Sequence, residues 1–268
     1  MPCRLGAAAS LPIPGMPCAV SAIIRPMNIQ VIGAGSWGLA LSRKLALNGH
    51  RVRLWCRAED HPDELRATRE STTFLPGVFL PPEVEVVGHV DPGMDIAVFA
   101  VPSHVMRTMA AQAQLAPGCI RVSVAKGIEN GTLMRMSEVI ADVAPEGGPI
   151  VALSGPTHAE EVGRDLPSSI VAAGTDEQAC TIVQQAFFST TFRVYTSPDI
   201  VGVELGGSLK NVIAIAAGVC DGMGLGDNAK AALITRGLAE IARLGIACGA
   251  DPLTFAGLSG MGDLIVTC

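Results

Sequence analysis

The sequence contains no CxxC pair, and its five histidines never fall at a spacing that suits metal ligation. Its eight cysteines are scattered over 268 residues. Neither a zinc site nor a disulfide framework is expected, and a reduced, cytoplasmic compartment fits best. No uninterrupted apolar run reaches the ~18 residues a membrane span needs, which argues against a transmembrane segment. Charge is also scarce. Charged residues make up 16% and the net charge is −6, which excludes a basic nucleic-acid surface. The 49% of hydrophobic residues suffices for a large core and excludes a disordered chain.

Acidic residues are missing from the first 26 positions, which are rich in proline and alanine. Prolines interrupt every apolar stretch there, so a signal peptide fits poorly. Residues 1–26 read as a disordered tail ahead of a second start at Met27.

From Asn28 onward, strand-like and helix-like runs alternate. "NIQVIGAGSWGLALSRKLALNGHRVRLW" places an apolar strand, a glycine-rich turn, an amphipathic helix, an Asn-Gly stop and a second strand in one βαβ unit. A lone GxGxxG is weak evidence, but this context is specific. Gly33 suits the tight turn, Gly35 a close approach to a pyrophosphate, and Gly38 close helix–strand packing, with free helix N–H groups facing the anion. The tip of the second strand reads Trp55-Cys56-Arg57, with Glu59 too late to grip a ribose. An arginine there accommodates a 2′-phosphate, so NADP is expected to be preferred over NAD.

The alternation continues as strands over 95–101 and 120–124, "PIVALS", "SSIVAAG" and "FRVYT", with helices from Ser103, over 133–143 and over 176–187. This predicts an α/β fold: a Rossmann-like, mostly parallel sheet over 27–195. At Thr196 the pattern changes. "SPD" offers a capping serine, a proline at the first helical position and an acid, and the chain then reads helical to Gly245. Residues 196–268 form the expected helical substrate domain.

Ligands in such sheets bind beyond the carboxyl ends of the strands. Those ends carry Pro102-Ser103, Lys126-Gly127 and Ser154 to His158. Lys126 directly follows an apolar strand and should face the crevice. Lys210 lies in "VELGGSLKNVIAIAAGV", which reads as a helix buried all round. A lysine there is costly without a partner or a chemical task. Either it exchanges protons with a substrate, with Gly206 and Gly207 opening space beside it, or it pairs with Glu204 or an aspartate from elsewhere.

The stretches "GAGSWGLAL", "VAKGIE", "LSGPTHAEEV", "VELGGSLKNVIAIAAGVCDGMGLGDNAKAALITRGLAEIARLG" and "GLSGMGDLIVTC" together resemble the bacterial NAD(P)-dependent glycerol-3-phosphate dehydrogenases, in order and spacing from Asn28 to Cys268. The resemblance implies reversible reduction of dihydroxyacetone phosphate to sn-glycerol 3-phosphate by NADPH or NADH, for phospholipid synthesis. It implies that Lys210 is the acid–base group and that Lys126 touches cofactor and substrate. Gly155, Thr157, Asn211 and Asp263 would bind substrate, and Ser36, Trp37, Arg57 and Ala159 the cofactor. The partner would be a small molecule, with room for a homodimer. The family continues past this last motif into a segment whose Arg-Asn pair grips the substrate phosphate. The helical domain is therefore expected to be incomplete and to expose apolar surface. The rival readings are a two-domain hydroxy-acid or ketopantoate-type reductase, disfavoured by "GPTHAEE" and "GDLIVTC", and a nucleotide-binding fragment without turnover.

Overall fold

The structure, a computed structural model, describes residues 25–268; the expected tail lies outside the described residues except for Arg25 and Pro26. Eight strands form one sheet in the order β3-β2-β1-β4-β5-β6-β7-β8. They are β1 (Asn28–Ile32), β2 (Arg51–Trp55), β3 (Val84–Val87), β4 (Ile96–Phe99), β5 (Ile120–Ser123), β6 (Ile150–Ser154), β7 (Ser168–Ala173) and β8 (Phe192–Ser197). Only the β6–β7 pairing is antiparallel. The chain reverses direction in the sheet between β1 and β4, which are parallel neighbours with Ile29 beside Ile96. That reversal opens the crevice in which such sheets bind ligands.

Helices cover both faces, so the central strands are buried on both sides and mostly apolar rather than alternating, with Gln30, Arg121 and Ser123 as buried polar residues among them. Successive residues of β4 serve opposite layers. Ile96 and Val98 join the core with Val31, Val122 and Phe187. Ala97 and Phe99 join Met106, Val139 and Ile140 on the other side. Strand β3 was not anticipated, because "EVEVVG" is short and lies in a loop-like stretch. It adds a sixth strand to the parallel run, next to β2, with Val52 beside Val84.

Helix α1 (Ser36–Leu47) follows the glycine turn and ends at the expected stop. Gly49 there has φ 86° and returns its N–H to the Ala46 carbonyl. The remaining helices of the sheet region are α2 (Pro62–Thr68), α3 (Met106–Ala113), α4 (Met136–Val143), α5 (Ala159–Gly163) and α6 (Glu177–Phe187). Beyond them come α7 (Ile200–Gly222), α8 (Asp227–Ala247), α9 (Pro252–Ala256), a π-helical turn over Leu258–Gly262 and α10 (Asp263–Thr267).

Several local expectations shift. Strand β8 runs through Ser197, two residues past the boundary read at Tyr195. The cap of α7 is Asp199, whose carboxylate accepts from Gly202 N at 2.9 Å, so Ser197 and Pro198 precede the helix instead of opening it. Helix α4 begins at Met136 rather than Leu133, because Leu133 takes a left-handed backbone, φ 60°. Helix α8 passes through Gly245 to Ala247. Gly245 is there for packing, since a Cβ on it would run into the Phe255 ring.

The larger correction concerns α7, which is not buried all round. Val212, Ile215 and Val219 are exposed, whereas Gly202 to Gly207 and Lys210 are buried. Its first half meets the sheet region through Gly207, which faces Ser154, and meets α10 through Lys210, which faces Asp263, while Ile213 packs against Gly237 of α8. By length and composition α7 is apolar enough to cross a membrane, the one such helix among the described residues, yet 44% of that window is buried inside the protein and it carries Glu204 and Lys210.

Candidate active site

The glycine turn connects β1 to α1 with the chemistry an anion needs. Gly33 has φ +116°, and a Cβ on it would collide with the Ala100 carbonyl. A Cβ on Gly38 would collide with the Gly33 carbonyl, so helix and turn touch backbone to backbone. Gly35 is the opposite case, because nothing lies within 4 Å of the place its Cβ would occupy. That open side adjoins the start of α1, where no side chain caps the free N–H groups and no acid stands in the first turn. These residues fit a dinucleotide pyrophosphate: donors unclaimed, positive dipole end uncovered, and room for close approach. Ser36 is tied down by donating to the Phe74 carbonyl at 2.5 Å.

Two neighbouring features belong to the same edge. Gly33 N donates to Trp55 O at 3.2 Å, which puts the β2 tip beside the turn. There Arg57 forms a two-pronged ion pair with Asp60, Nε to Oδ2 and Nη2 to Oδ1, both at 2.8 Å. A cavity of about 270 Å³ joins the turn to the centre of the sheet, lined among others by Ser36, Trp37, Lys126, Thr157 and Ala159. Residues from β5, β6 and the α1 and α5 termini therefore share one space.

Beyond the cavity lies a charge cluster that joins the sheet region to the helices. Asp263, at the start of α10, is fully buried. Its carboxylate accepts from Lys126 Nζ through Oδ2 and from Lys210 Nζ through Oδ1, each at 2.5 Å. Lys210 Nζ also reaches Thr267 Oγ1 at 2.6 Å. Lys126 lies 3.5 Å from the Gly155 carbonyl, which brings the "SGPT" loop to the same point. Two ammoniums on one carboxylate leave an excess positive charge in a buried place. Burial pulls the Lys126 pKa from its ordinary 10.5 down to about 8, against the pull of Asp263 and helped by the Lys210 charge.

Glycines in α7 let these parts meet. A Cβ on Gly206 would strike the Ser259 carbonyl, and one on Gly207 would sit 2.6 Å from Ser154 Oγ. Their role is close approach of neighbouring segments, not the empty space expected beside Lys210. Glu204 does not pair with Lys210. It accepts from Ser137 N at 2.8 Å, Ser137 Oγ at 2.5 Å and Arg135 Nη1 at 2.7 Å, clasping α7 to α4. One turn later Ser208 Oγ receives Gly127 N at 2.9 Å, next to Lys126.

The profile described as NAD-dependent glycerol-3-phosphate dehydrogenase N-terminus matches residues 28–180, and the corresponding C-terminus profile matches residues 199–268. The chain belongs to the NAD-dependent glycerol-3-phosphate dehydrogenases. Glycerol-3-phosphate dehydrogenase (NAD(P)+) of Pelotomaculum thermopropionicum is 51% identical over 248 residues, covering 90% of this chain and 71% of that protein. The enzyme of the same name from Geobacillus thermodenitrificans is 52% identical over 250 residues, with 90% and 72% covered. The crystal structure of glycerol-3-phosphate dehydrogenase from Coxiella burnetii superposes with a TM-score of 0.86 at 36% identity, covering 91% of this chain and 76% of that one. A ketopantoate reductase from Ralstonia eutropha shares the fold alone, with 17% identity and a TM-score of 0.53.

Within this dehydrogenase scaffold, most residues singled out in the sequence converge. Lys126, Gly155, Lys210 and Asp263 meet directly, and Thr157, Ala159, Ser36 and Trp37 line the adjoining cavity. Asn211 is exposed beside the cluster, and Arg57 stands apart at the β2 tip, engaged by Asp60. Sequence reasoning passed over Thr267 and Ser208. Thr267 follows Asp263 by four residues, the spacing of one helix face, and that spacing in "GDLIVTC" was the available signal. Ser208 gave none, because its contact with Gly127 spans 81 positions.

Proposed function

We infer that this chain catalyses the reversible reduction of dihydroxyacetone phosphate to sn-glycerol 3-phosphate, a precursor for glycerophospholipid synthesis. The observation that carries the reading is the pair of lysines converging on one buried carboxylate at the mouth of the dinucleotide cavity. Bound NADPH or NADH supplies the hydride. Gly33, Gly35 and Gly38, with Ser36, Trp37 and Ala159, would hold the cofactor at the α1 N-terminus, and Arg57 favours NADP by meeting a 2′-phosphate. As the carbonyl carbon is reduced, its oxygen gains negative charge. The Lys210 ammonium stabilises that charge and gives the oxygen its proton. Lys126, which lines the same cavity, would touch both cofactor and substrate and adds a second positive charge. Asp263 holds both ammoniums in place, which fixes the point where the oxygen must sit. Gly155, Thr157 and Asn211 offer hydrogen bonds to the remaining substrate oxygens.

Further parts of this reading are a homodimer and a cytoplasmic location. The six cysteines among the described residues are all free, as a reducing compartment requires. Fluorescence titration with NADPH, run beside turnover of dihydroxyacetone phosphate, tests the function. Binding with turnover supports it, and binding without turnover would make the chain a nucleotide-binding protein instead.

A further inference from the structure

Arg57 and Asp60 lie at the tip of β2, where a dinucleotide enzyme distinguishes a ribose hydroxyl from a 2′-phosphate. The two side chains are already satisfied by each other through a bidentate pair, the strongest geometry available to a guanidinium. Their exposure is unequal: the Arg57 side chain is 58% exposed and that of Asp60 only 13%. Arg57 can therefore swing away to a ligand, whereas Asp60 stays put. Asp60 also lies on the wall of a cavity of about 220 Å³ that Glu59, Glu64 and Phe74 help to form. Phe74 in turn receives the Ser36 hydroxyl at the start of α1, so this wall is continuous with the glycine turn.

We propose that Asp60 sets the balance between the two cofactors by competing with a 2′-phosphate for Arg57. The proposal rests on the reading of Arg57 as the 2′-phosphate ligand. With NADPH, the phosphate must draw the guanidinium off a carboxylate that remains nearby and repels it. With NADH no phosphate competes, and the ion pair stays closed. The pair thus takes away part of the NADPH advantage and leaves NADH untouched. Replacing only the carboxylate should sharpen NADP selectivity, a result that a purely attractive role for Arg57 does not give.

The test measures binding of 2′-phospho-ADP-ribose and of ADP-ribose to the full chain by calorimetry, for the parent, Asp60→Asn, Arg57→Gln and the double variant. Asp60→Asn should tighten the phosphorylated fragment by roughly five- to tenfold and leave ADP-ribose binding unchanged within about twofold. In the Arg57→Gln background the same substitution should no longer tighten the phosphorylated fragment. An Asp60→Asn protein that melts normally but shows an unchanged ratio, or weaker binding of both fragments, overturns the role of Asp60. If Arg57→Gln by itself leaves the ratio unchanged, the reading of Arg57 falls, and the proposal with it. If Arg57→Gln lowers the ratio while Asp60→Asn does not raise it, only the proposal falls.

Discussion

The sheet region and the helical region hold themselves together by different means. Around β1, β4 and β5 the interior is mostly apolar, with Ile29, Val31, Phe99 and Val122 wholly out of solvent and the buried Gln30 and Arg121 hydrogen-bonded to backbone carbonyls. In the helical region the buried apolar cluster is small, built on Leu205, Ile241, Ala250 and Phe255. Large apolar side chains such as Ile215, Met223, Leu253 and Ile265 stay exposed there, while charges are buried. A carboxylate with no solvent contact holds two lysines where the two regions meet. Apolar burial is non-directional and builds a rigid platform, but only a fixed array of charges can meet a developing oxyanion.

Lys210→Met should give the largest effect. It keeps the stem's packing while removing charge and proton, so turnover of dihydroxyacetone phosphate should fall by roughly 10² to 10⁴ with cofactor affinity nearly intact. Its stability cost should be modest, because Asp263 keeps Lys126 as a partner. Strong destabilisation with normal turnover of the folded fraction would make Lys210 a structural residue. Steady-state kinetics and a denaturant melt together decide.

The next effects compare the two regions directly. Phe99→Ala removes a fully buried ring from the sheet core and should cost about 3–5 kcal/mol. Asp263→Ala should cost a similar ~3–5 kcal/mol by stranding two ammoniums, although far less apolar volume is lost. Combining it with Lys126→Met and Lys210→Met should restore most of that stability without restoring turnover. If urea melts show Asp263→Ala to be neutral, the helical region does not depend on its charges.

A pH series sharpens the point. The Lys126 pKa is lowered in the folded protein, to about 8 from 10.5. Between those values the unfolded chain binds more protons, so stability should rise with pH across that window. Turnover in the reductive direction should instead fall above about pH 8 as Lys126 loses its charge. Lys126→Met should abolish the rise in stability, and equal slopes in both proteins would show that another group titrates.

Ile215→Ser should change least, within about 0.5 kcal/mol, because the residue is 72% exposed. A loss approaching that of Phe99→Ala in the purified protein would mean this face of α7 is covered in solution.

The parallel sheet, the glycine turn and its helix stop were all legible in the sequence. Each rests on local chemistry: continuous apolar strands, glycines where φ is positive, and Asn-Gly after the last helical turn. Strand β3 was missed because its four residues carry too little periodicity to stand out from the surrounding loop. The cap of α7 was misplaced by two residues because Ser197 and Asp199 are both good caps, and only the backbone path selects Asp199. The apolar run of α7 suggested burial on every side, but composition records how apolar a helix is, not which of its faces finds a neighbour.

Arg57 at a strand tip and Lys210 within an apolar helix were readable because each residue breaks the pattern around it. Their partners were not. Lys126 and Asp263 are 137 positions apart, Lys210 and Asp263 are 53 apart, and Ser208 reaches Gly127 across 81. Residue type and periodicity settle which groups are present and which element carries each one, since those depend on near neighbours along the chain. Whether Lys210 would face Glu204 or Asp263 depended on how α7 packs between the sheet and α10. The glycines at 206 and 207 permit that close approach, and only the tertiary structure decides it.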